Sequence, residues 1–167
     1  MNPAIQTTCE RSAGAPLRHR TALVTGASLG IGASVARALA QDGANVALHC
    51  CRAVDEQMGH PGAIDALEQE LRALGVGTHV IDENLSSPGS GRSVVEAARM
   101  AFGPIGILVI CAAVQKREPF FEVAPEHVDF QVRINYMASI ELLQAVLPDM
   151  QSDGFGRIVS IGSVNQV

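Results

Sequence analysis

Tryptophan is absent from the 167 residues, tyrosine occurs once, at Tyr136, and lysine occurs once, at Lys116. Long apolar runs are also missing. The longest, Ile105 to Val114, is interrupted by Gly106 and reaches about half of the roughly 20 residues a helical bilayer crossing needs. Cysteine is scarce and unpatterned. Cys9, Cys50, Cys51 and Cys111 include an adjacent pair but no C-x-x-C, so they offer neither a disulfide framework nor a zinc spacing. A reducing, cytoplasmic setting is therefore expected. Positive charge is in deficit, with 12 Lys+Arg against 17 Asp+Glu and a formal net charge of −5. That balance leaves no basic stripe, so neither nucleic acid nor a membrane surface is an expected partner. The first twenty residues lack the apolar stretch of about 7 to 15 residues that a secretory signal carries. Residues 1–20 are expected to form a flexible tail.

What is present is one domain's worth of globular sequence, 47% apolar, in which short apolar stretches alternate with segments of helical period. Strands are expected at Thr21–Thr25, Val46–Cys50, Thr78–Ile81, Ile107–Cys111 and Arg157–Ile161. Between them, Ile31, Val35, Ala38 and Leu39 predict one inward helical face. Ile64, Leu67, Leu71 and Leu74 predict a second, and Val94, Val95, Ala98 and Phe102 a third. A long helix opened by Pro125 is expected to turn Val128, Val132, Met137, Ile140, Leu143 and Leu147 inward. Strands this short and apolar, each followed by a helix, pair in parallel because a parallel neighbour needs a crossover. The expected fold class is α/β, a doubly wound parallel sheet of Rossmann type. Such a sheet binds ligands at the carboxyl ends of its strands, which directs attention to the loops after Thr25, Cys50, Cys111 and Ile161.

The first of those loops reads Thr25-Gly26-Ala27-Ser28-Leu29-Gly30-Ile31-Gly32. Gly26 allows a sharp turn out of the strand, Gly30 lets backbone approach a pyrophosphate, and Gly32 lets the helix lie close to the sheet. The helix N-terminus then presents free N–H groups to an anion. Dinucleotide binding follows from this arrangement. Past the second strand comes His49-Cys50-Cys51-Arg52, with no carboxylate until Asp55. A guanidinium there pairs with a 2′-phosphate, so NADP is the expected cofactor, with NAD as the alternative.

This sequence resembles the short-chain dehydrogenase/reductase family, whose nucleotide loop has the pattern T-G-x-x-x-G-x-G. The resemblance continues through Phe102-Gly103-Pro104-Ile105, Asn135, Gln144-Ala145-Val146-Leu147-Pro148 and Gly156-Arg157-Ile158-Val159-Ser160-Ile161-Gly162-Ser163. It implies an oxidoreductase that moves hydride between NAD(P) and a small alcohol or carbonyl substrate. It implies cofactor contacts at Thr25, Gly26, Ser28, Leu29, Gly30, Ile31, Gly32, Arg52, Asn84, Leu85, Ala112 and Ala113. Where the family has N-N-A-G after the fourth strand, this chain has Ile110-Cys111-Ala112-Ala113, in which only Ala112 matches. The resemblance also implies catalytic roles for Ser163, which orients the substrate oxygen, and Asn135, which holds a water in the proton relay. No metal is implied. The family's Tyr-x-x-x-Lys pair has no counterpart, since Ile140 stands four residues beyond Tyr136 and Lys116 lies far upstream.

Residues 21–167 are accordingly expected to be a truncated NAD(P)-binding Rossmann domain, with the C-terminal strands and catalytic helix missing, inactive alone and homo-oligomeric when complete. The competing expectation is a naturally short, catalytically silent protein that binds a nucleotide or a protein partner.

Overall fold

The structure, a computed structural model, describes residues 15–163. Five parallel strands form one sheet in the order β3-β2-β1-β4-β5, with β1 Thr21–Val24, β2 Asn45–Cys50, β3 Thr78–Asp82, β4 Ile107–Ile110 and β5 Arg157–Ser160. The crossovers carry α1 Gly30–Gln41, α2 Arg52–Gln57, α3 Ala63–Arg72, α4 Ser90–Phe102, α5 Pro125–Val132 and α6 Ala138–Asp153. Chain order reverses between β1, the central strand, and its neighbour β4. The expected doubly wound α/β sheet is therefore present.

Strand alternation sends side chains to two cores. Ala22, Val24, Val46, Leu48, Ile107 and Val109 face one side, where Ile64, Leu67 and Leu71 of α3 close over them. Leu23, Ala47, Leu108 and Ile110 face the other, against Val94, Val95 and Ala98 of α4 and Leu142 and Val146 of α6. Each fully buried Leu or Ile contributes about 1.5–3 kcal/mol, and β1 is buried along its whole length. These cores hold the carboxyl end of β1 rigid, which is what a ligand loop needs.

Two expected helix faces are rotated. On α1 the sheet-facing residues are Gly32, Ala33, Ala36 and Ala40, whereas Ile31 is 59% exposed and Ala38 is exposed. Helix α1 lies so close to the sheet that only small side chains fit beneath it. Val35 and Leu39 pack at the flank. The long helix is not continuous. A π-helical turn, Arg133–Met137, separates α5 from α6. Such a turn takes up one extra residue and so rotates the following face by roughly 100°. After it, Leu147 is exposed and Ala138, Leu142, Ala145, Val146 and Met150 fill the core, with Met137 exposed in the turn itself; Val128 and Val132, ahead of the turn, are exposed on α5, which buries none of its residues. On α3, Leu74 falls past the helix end and is exposed.

The expected tail, residues 1–20, lies outside the described residues up to position 14. From 15 to 20 the chain is tied down: Leu17 N–H donates to the Asp42 carbonyl at 2.9 Å, and Leu17 packs on the first core. The Arg20 guanidinium lies 3.7 Å from the Phe155 ring centroid and pairs with Asp153 at 3.0 Å. No helix among the described residues is long and apolar enough to cross a membrane.

Candidate functional site

The loop between β1 and α1 turns back on itself with no room for side chains at two points. A Cβ on Gly32 would stand 2.0 Å from the Gly26 carbonyl oxygen, and one on Gly26, whose φ is +64°, would stand 2.9 Å from Ala112 backbone atoms. Both neighbours are backbone and cannot yield. The two glycines therefore bring the N-terminus of α1 over the end of β1 and press the turn against the segment after β4. Among the α1 N-terminal residues, Gly30 carries φ +53° with open space where its Cβ would be.

Thr25 fastens this turn to the neighbouring strand. Its side chain is fully buried, and Oγ1 accepts hydrogen bonds from the N–H groups of Cys111 at 3.1 Å and Ala112 at 3.2 Å. The Ile110-Cys111-Ala112-Ala113 segment is thus held through its backbone, which explains how it keeps its place without the family's asparagines.

His49, at the end of β2, makes a second fastening that its residue type alone did not signal. Gly26 N–H donates to Nδ1 at 3.2 Å, which puts the ring proton on Nε2, and Nε2 donates to the Glu83 carbonyl at 3.0 Å. Burial pushes the His49 pKa down, outweighing the raising effect of the Glu83 bond and of Asp82 and Asp55. The imidazole is neutral. Beside it the Cys50 thiol is pushed up to about 12, first by burial and then by Asp82 and Asp55, and Cys111 is raised by burial. Neither cysteine is a thiolate nucleophile at neutral pH.

These elements enclose a cavity of about 450 Å³. Of the residues expected to contact a cofactor, Gly26, Ser28, Leu29, Asn84, Leu85, Ala112 and Ala113 line it. Thr25, Gly30, Ile31, Gly32 and Arg52 are not on its wall. The first four build the turn and the first turn of α1 rather than the lining.

Arg52 departs from expectation. Its guanidinium makes a two-pronged contact with Asp65 on α3, both distances 2.7 Å, and lies 3.9 Å from Asp82. The hydrogen bond and charge of Asp65 hold the Arg52 pKa above its ordinary value, and the hydrogen bond and charge of Arg52 lower that of Asp65. A guanidinium free for a 2′-phosphate is therefore replaced by one already paired. Sequence reasoning missed this because Asp65 is thirteen residues away, on a helix whose rotation had to be known.

No apolar periodicity in the sequence signals α2. Asp82 at the end of β3 accepts the Arg52 N–H at 2.9 Å, satisfying a free donor at the start of α2. The helix carries Asp55 to the cavity wall, where its Oδ1 accepts from Ser28 Oγ at 2.8 Å.

Asn135 sits in the π-helical turn. Its Oδ1 accepts from Val114 N–H and its Nδ2 donates to the Val114 carbonyl, each at 2.8 Å. The side chain thus clamps the segment after β4, where the resemblance had implied a water ligand. Phe130 and Ile134, from the same helical stretch, join the cavity wall. Ser163 lies exposed past β5. Tyr136 is 62% exposed, and Lys116 pairs with Glu118 at 3.3 Å and contacts His127. Tyr136 and Lys116 do not form the missing pair.

Comparison with known proteins agrees with this geometry. The chain is 33% identical over 149 residues to the acetoacetyl-CoA reductase of Allochromatium vinosum, covering 87% of this chain and 57% of that protein. A 3-oxoacyl (acyl-carrier-protein) reductase from Agrobacterium tumefaciens C58, crystallised with NADP bound, superposes with a TM-score of 0.83 at 36% identity, covering 98% of this chain and 60% of that one. A short chain dehydrogenase from Burkholderia cenocepacia J2315 in complex with NADP gives a TM-score of 0.78 at 31% identity, with coverages of 89% and 57%. The chain thus spans a little over half the length of these relatives. Residues 20–167 match the short chain dehydrogenase family. With that match spanning nearly the whole sequence, and with the glycine turn, parallel sheet and strand order in place, this chain belongs to the short-chain dehydrogenase family.

Proposed function

We propose that the cavity at the end of β1 holds a nicotinamide dinucleotide, NADP first and NAD as the alternative. The chain is then the cofactor-binding part of a cytoplasmic oxidoreductase acting on a small alcohol or carbonyl compound, homo-oligomeric when complete. The carrying observation is the glycine cradle. Gly26 and Gly32 leave no space for a Cβ, and Ser28 and Leu29 between them line the cavity, as a phosphate-binding turn at a helix N-terminus requires. The solved relatives that hold NADP support the same reading.

When bound, such a cofactor supplies or accepts the hydride. The chain's own residues do the rest: the α1 N-terminus takes the pyrophosphate charge, and Asn84 and Leu85 wall the adenine side. Asn135 is a positioning residue that holds Val114 beside the cavity. Ser163 Oγ orients the substrate oxygen. A hydroxyl is too weak an acid to protonate a developing alkoxide at neutral pH, and a positioned acid contributes about 10² to 10⁴-fold. Binding without turnover is therefore the expected behaviour of these 167 residues.

Calorimetric titration with NADPH and NADH tests the binding half. Wild type should bind NADPH, and Gly30→Asp, which puts a carboxylate at the anion site, should weaken both nucleotides. Equal binding by the two proteins would sink the site. The catalytic half is read by nicotinamide absorbance against ketones, aldehydes and alcohols. No turnover is expected here, and turnover lost on Ser163→Ala is expected from a chain extended through a Tyr-x-x-x-Lys segment. The second reading, a silent nucleotide-binding protein, is favoured by the exposed Tyr136 and the paired Lys116. Inactivity of the extended chain would establish it.

A further inference from the structure

Helix α4 begins without a cap of its own. Gly89, ahead of its first residue, has φ +85° and no side chain to accept the free N–H groups of the first turn. The acceptor comes from α6 instead. Glu141 Oε1 takes the Gly89 N–H at 3.0 Å, and Oε2 takes the Gly91 N–H at 3.1 Å. Gly91 permits this approach, since a Cβ there would stand 2.7 Å from the Ala138 carbonyl oxygen. Burial opposes the charge on Glu141, but hydrogen bonds from Arg133, Gly89 and Gly91 outweigh it and hold the pKa below the ordinary carboxylate value. The carboxylate is ionised at neutral pH.

The same carboxylate is bound by Arg133, from the π-helical turn. Arg133 Nη2 donates to Glu141 Oε1, and each side chain is 17% exposed. Arg133 Nε is buried with no hydrogen-bond partner among the described residues. A stranded buried donor costs about 1–3 kcal/mol and a buried ion pair is a weak source of stability, so stability does not account for an arginine here. Fixing register does. Arg133 opens the turn and Glu141 lies in the first turn of α6, so their contact spans the extra residue. On one side Glu141 holds the start of α4 and, through it, the connection from β3 that carries Asn84 and Leu85 on the cavity wall. On the other it holds the turn in which Ile134 lines the cavity and Asn135 clamps Val114. A dinucleotide laid across a sheet that reverses at β1 puts its adenosine half over β2 and β3 and its nicotinamide half over β4 and β5. The two walls therefore meet opposite halves of the ligand.

We infer that Glu141 is a positioning residue that couples the two walls of the cavity: it fixes the Asn84 and Leu85 wall through the start of α4, and the Val114 wall through Arg133 and the π-helical turn. Neither Glu141 nor Arg133 lines the cavity, so both act through the segments they hold. This rests on the dinucleotide reading of the cavity and deepens it, because a group bound against one wall is felt at the other.

The test combines hydrogen exchange, read on peptides by mass spectrometry, with calorimetric titration of the full chain. ADP probes the adenosine half and NADPH the whole ligand. In wild type, ADP should slow exchange in the peptide holding Gly91 and also in the one holding Val114, on the wall that ADP does not meet. In Arg133→Met the Gly91 response should remain and the Val114 response disappear, with NADPH affinity falling about fivefold or more. Arg133→Lys keeps the charge and removes the stranded donor, so it should restore both. Glu141→Gln loses the charge and one acceptor, and should quicken exchange at Gly91 and Val114 together before any ligand is added. Slowing at Gly91 without Val114 in wild type overturns the coupling and leaves the cavity as a dinucleotide site. Arg133→Met that binds NADPH within about twofold of wild type does the same, as does Glu141→Gln with exchange unchanged at either peptide. If ADP does not bind, or a variant does not melt cooperatively, the remaining arms decide by these outcomes. If wild type binds neither ADP nor NADPH, the cavity reading and this inference fall together.

Discussion

The amide of Gly26 donates to Nδ1 of His49, and through the opposite nitrogen of the same ring the carbonyl of Glu83 is bound as well. One neutral imidazole therefore joins the turn after β1, the end of β2 and the exit from β3, and it sets the shape of the cavity they enclose.

Because His49 is held neutral, its folded pKa lies below the ordinary value of 6.5. In the unfolded chain the ring takes a proton as pH falls through 6.5, whereas the folded ring resists it, so the unfolded state binds more protons. The stabilisation from this histidine is complete above pH 6.5 and is lost progressively below it, toward the folded pKa. Melting temperature should fall as pH is lowered from neutrality into that window, and His49→Gln should flatten the slope. An unchanged slope would show that the ring is not held neutral.

Thr25→Val keeps the buried shape but strips the acceptor from the Cys111 and Ala112 N–H groups. Unfolding in urea should show a loss of about 2–4 kcal/mol, since each stranded donor costs about 1–3 kcal/mol. Thr25→Ser should recover most of it.

The glycines of the turn should separate by position. Gly32→Ala forces a methyl into the Gly26 carbonyl and should abolish nucleotide binding and lower the melting temperature. Gly30→Ala meets open space and should melt nearer to wild type, its cost confined to a positive φ. Similar melting temperatures for the two would refute the close helix approach.

Asp65→Asn releases one partner of Arg52. Exposed ion pairs of this kind add little to stability, so the fold should be unaffected. A guanidinium freed from Asp65 becomes available to a 2′-phosphate, and NADPH affinity should rise several-fold with NADH unchanged. The calorimeter would show equal gains for both nucleotides if Arg52 acts elsewhere.

Among the described residues strand β5 pairs with β4 alone, and Ile158 and Val159 are 43% and 46% exposed. An apolar parallel edge of this kind seeks a further strand, so the chain should self-associate at micromolar concentration. Sedimentation showing a stable monomer would contradict this.

Much of the molecule is legible in the sequence alone. Strand positions, the parallel sheet and the glycine turn follow from short-range pattern: apolar runs of strand length, helices between them, and glycines spaced to admit a close turn. The α4 face followed as well, and the α3 face apart from Leu74, because periodicity decides which side of an uninterrupted helix is apolar but not where the helix ends. The faces of α1 and α6 did not. Gly32 draws α1 so near the sheet that alanines displace larger residues from the interface, and the π-helical turn at Arg133–Met137 shifts the register of everything after it. Nor could spacing reveal that Arg52 meets Asp65, that His49 meets Gly26, or that Asp55 meets Ser28. Those partners are 13, 23 and 27 residues apart in the chain, and their meeting depends on how separate elements are rotated and docked. Local sequence decides where a strand or a turn forms, because backbone conformation and periodicity are local. Which charged side chain faces a ligand and which is spent on a neighbour is decided by packing, because a salt bridge or hydrogen bond needs contact to within about 3 Å and only the assembled fold supplies it.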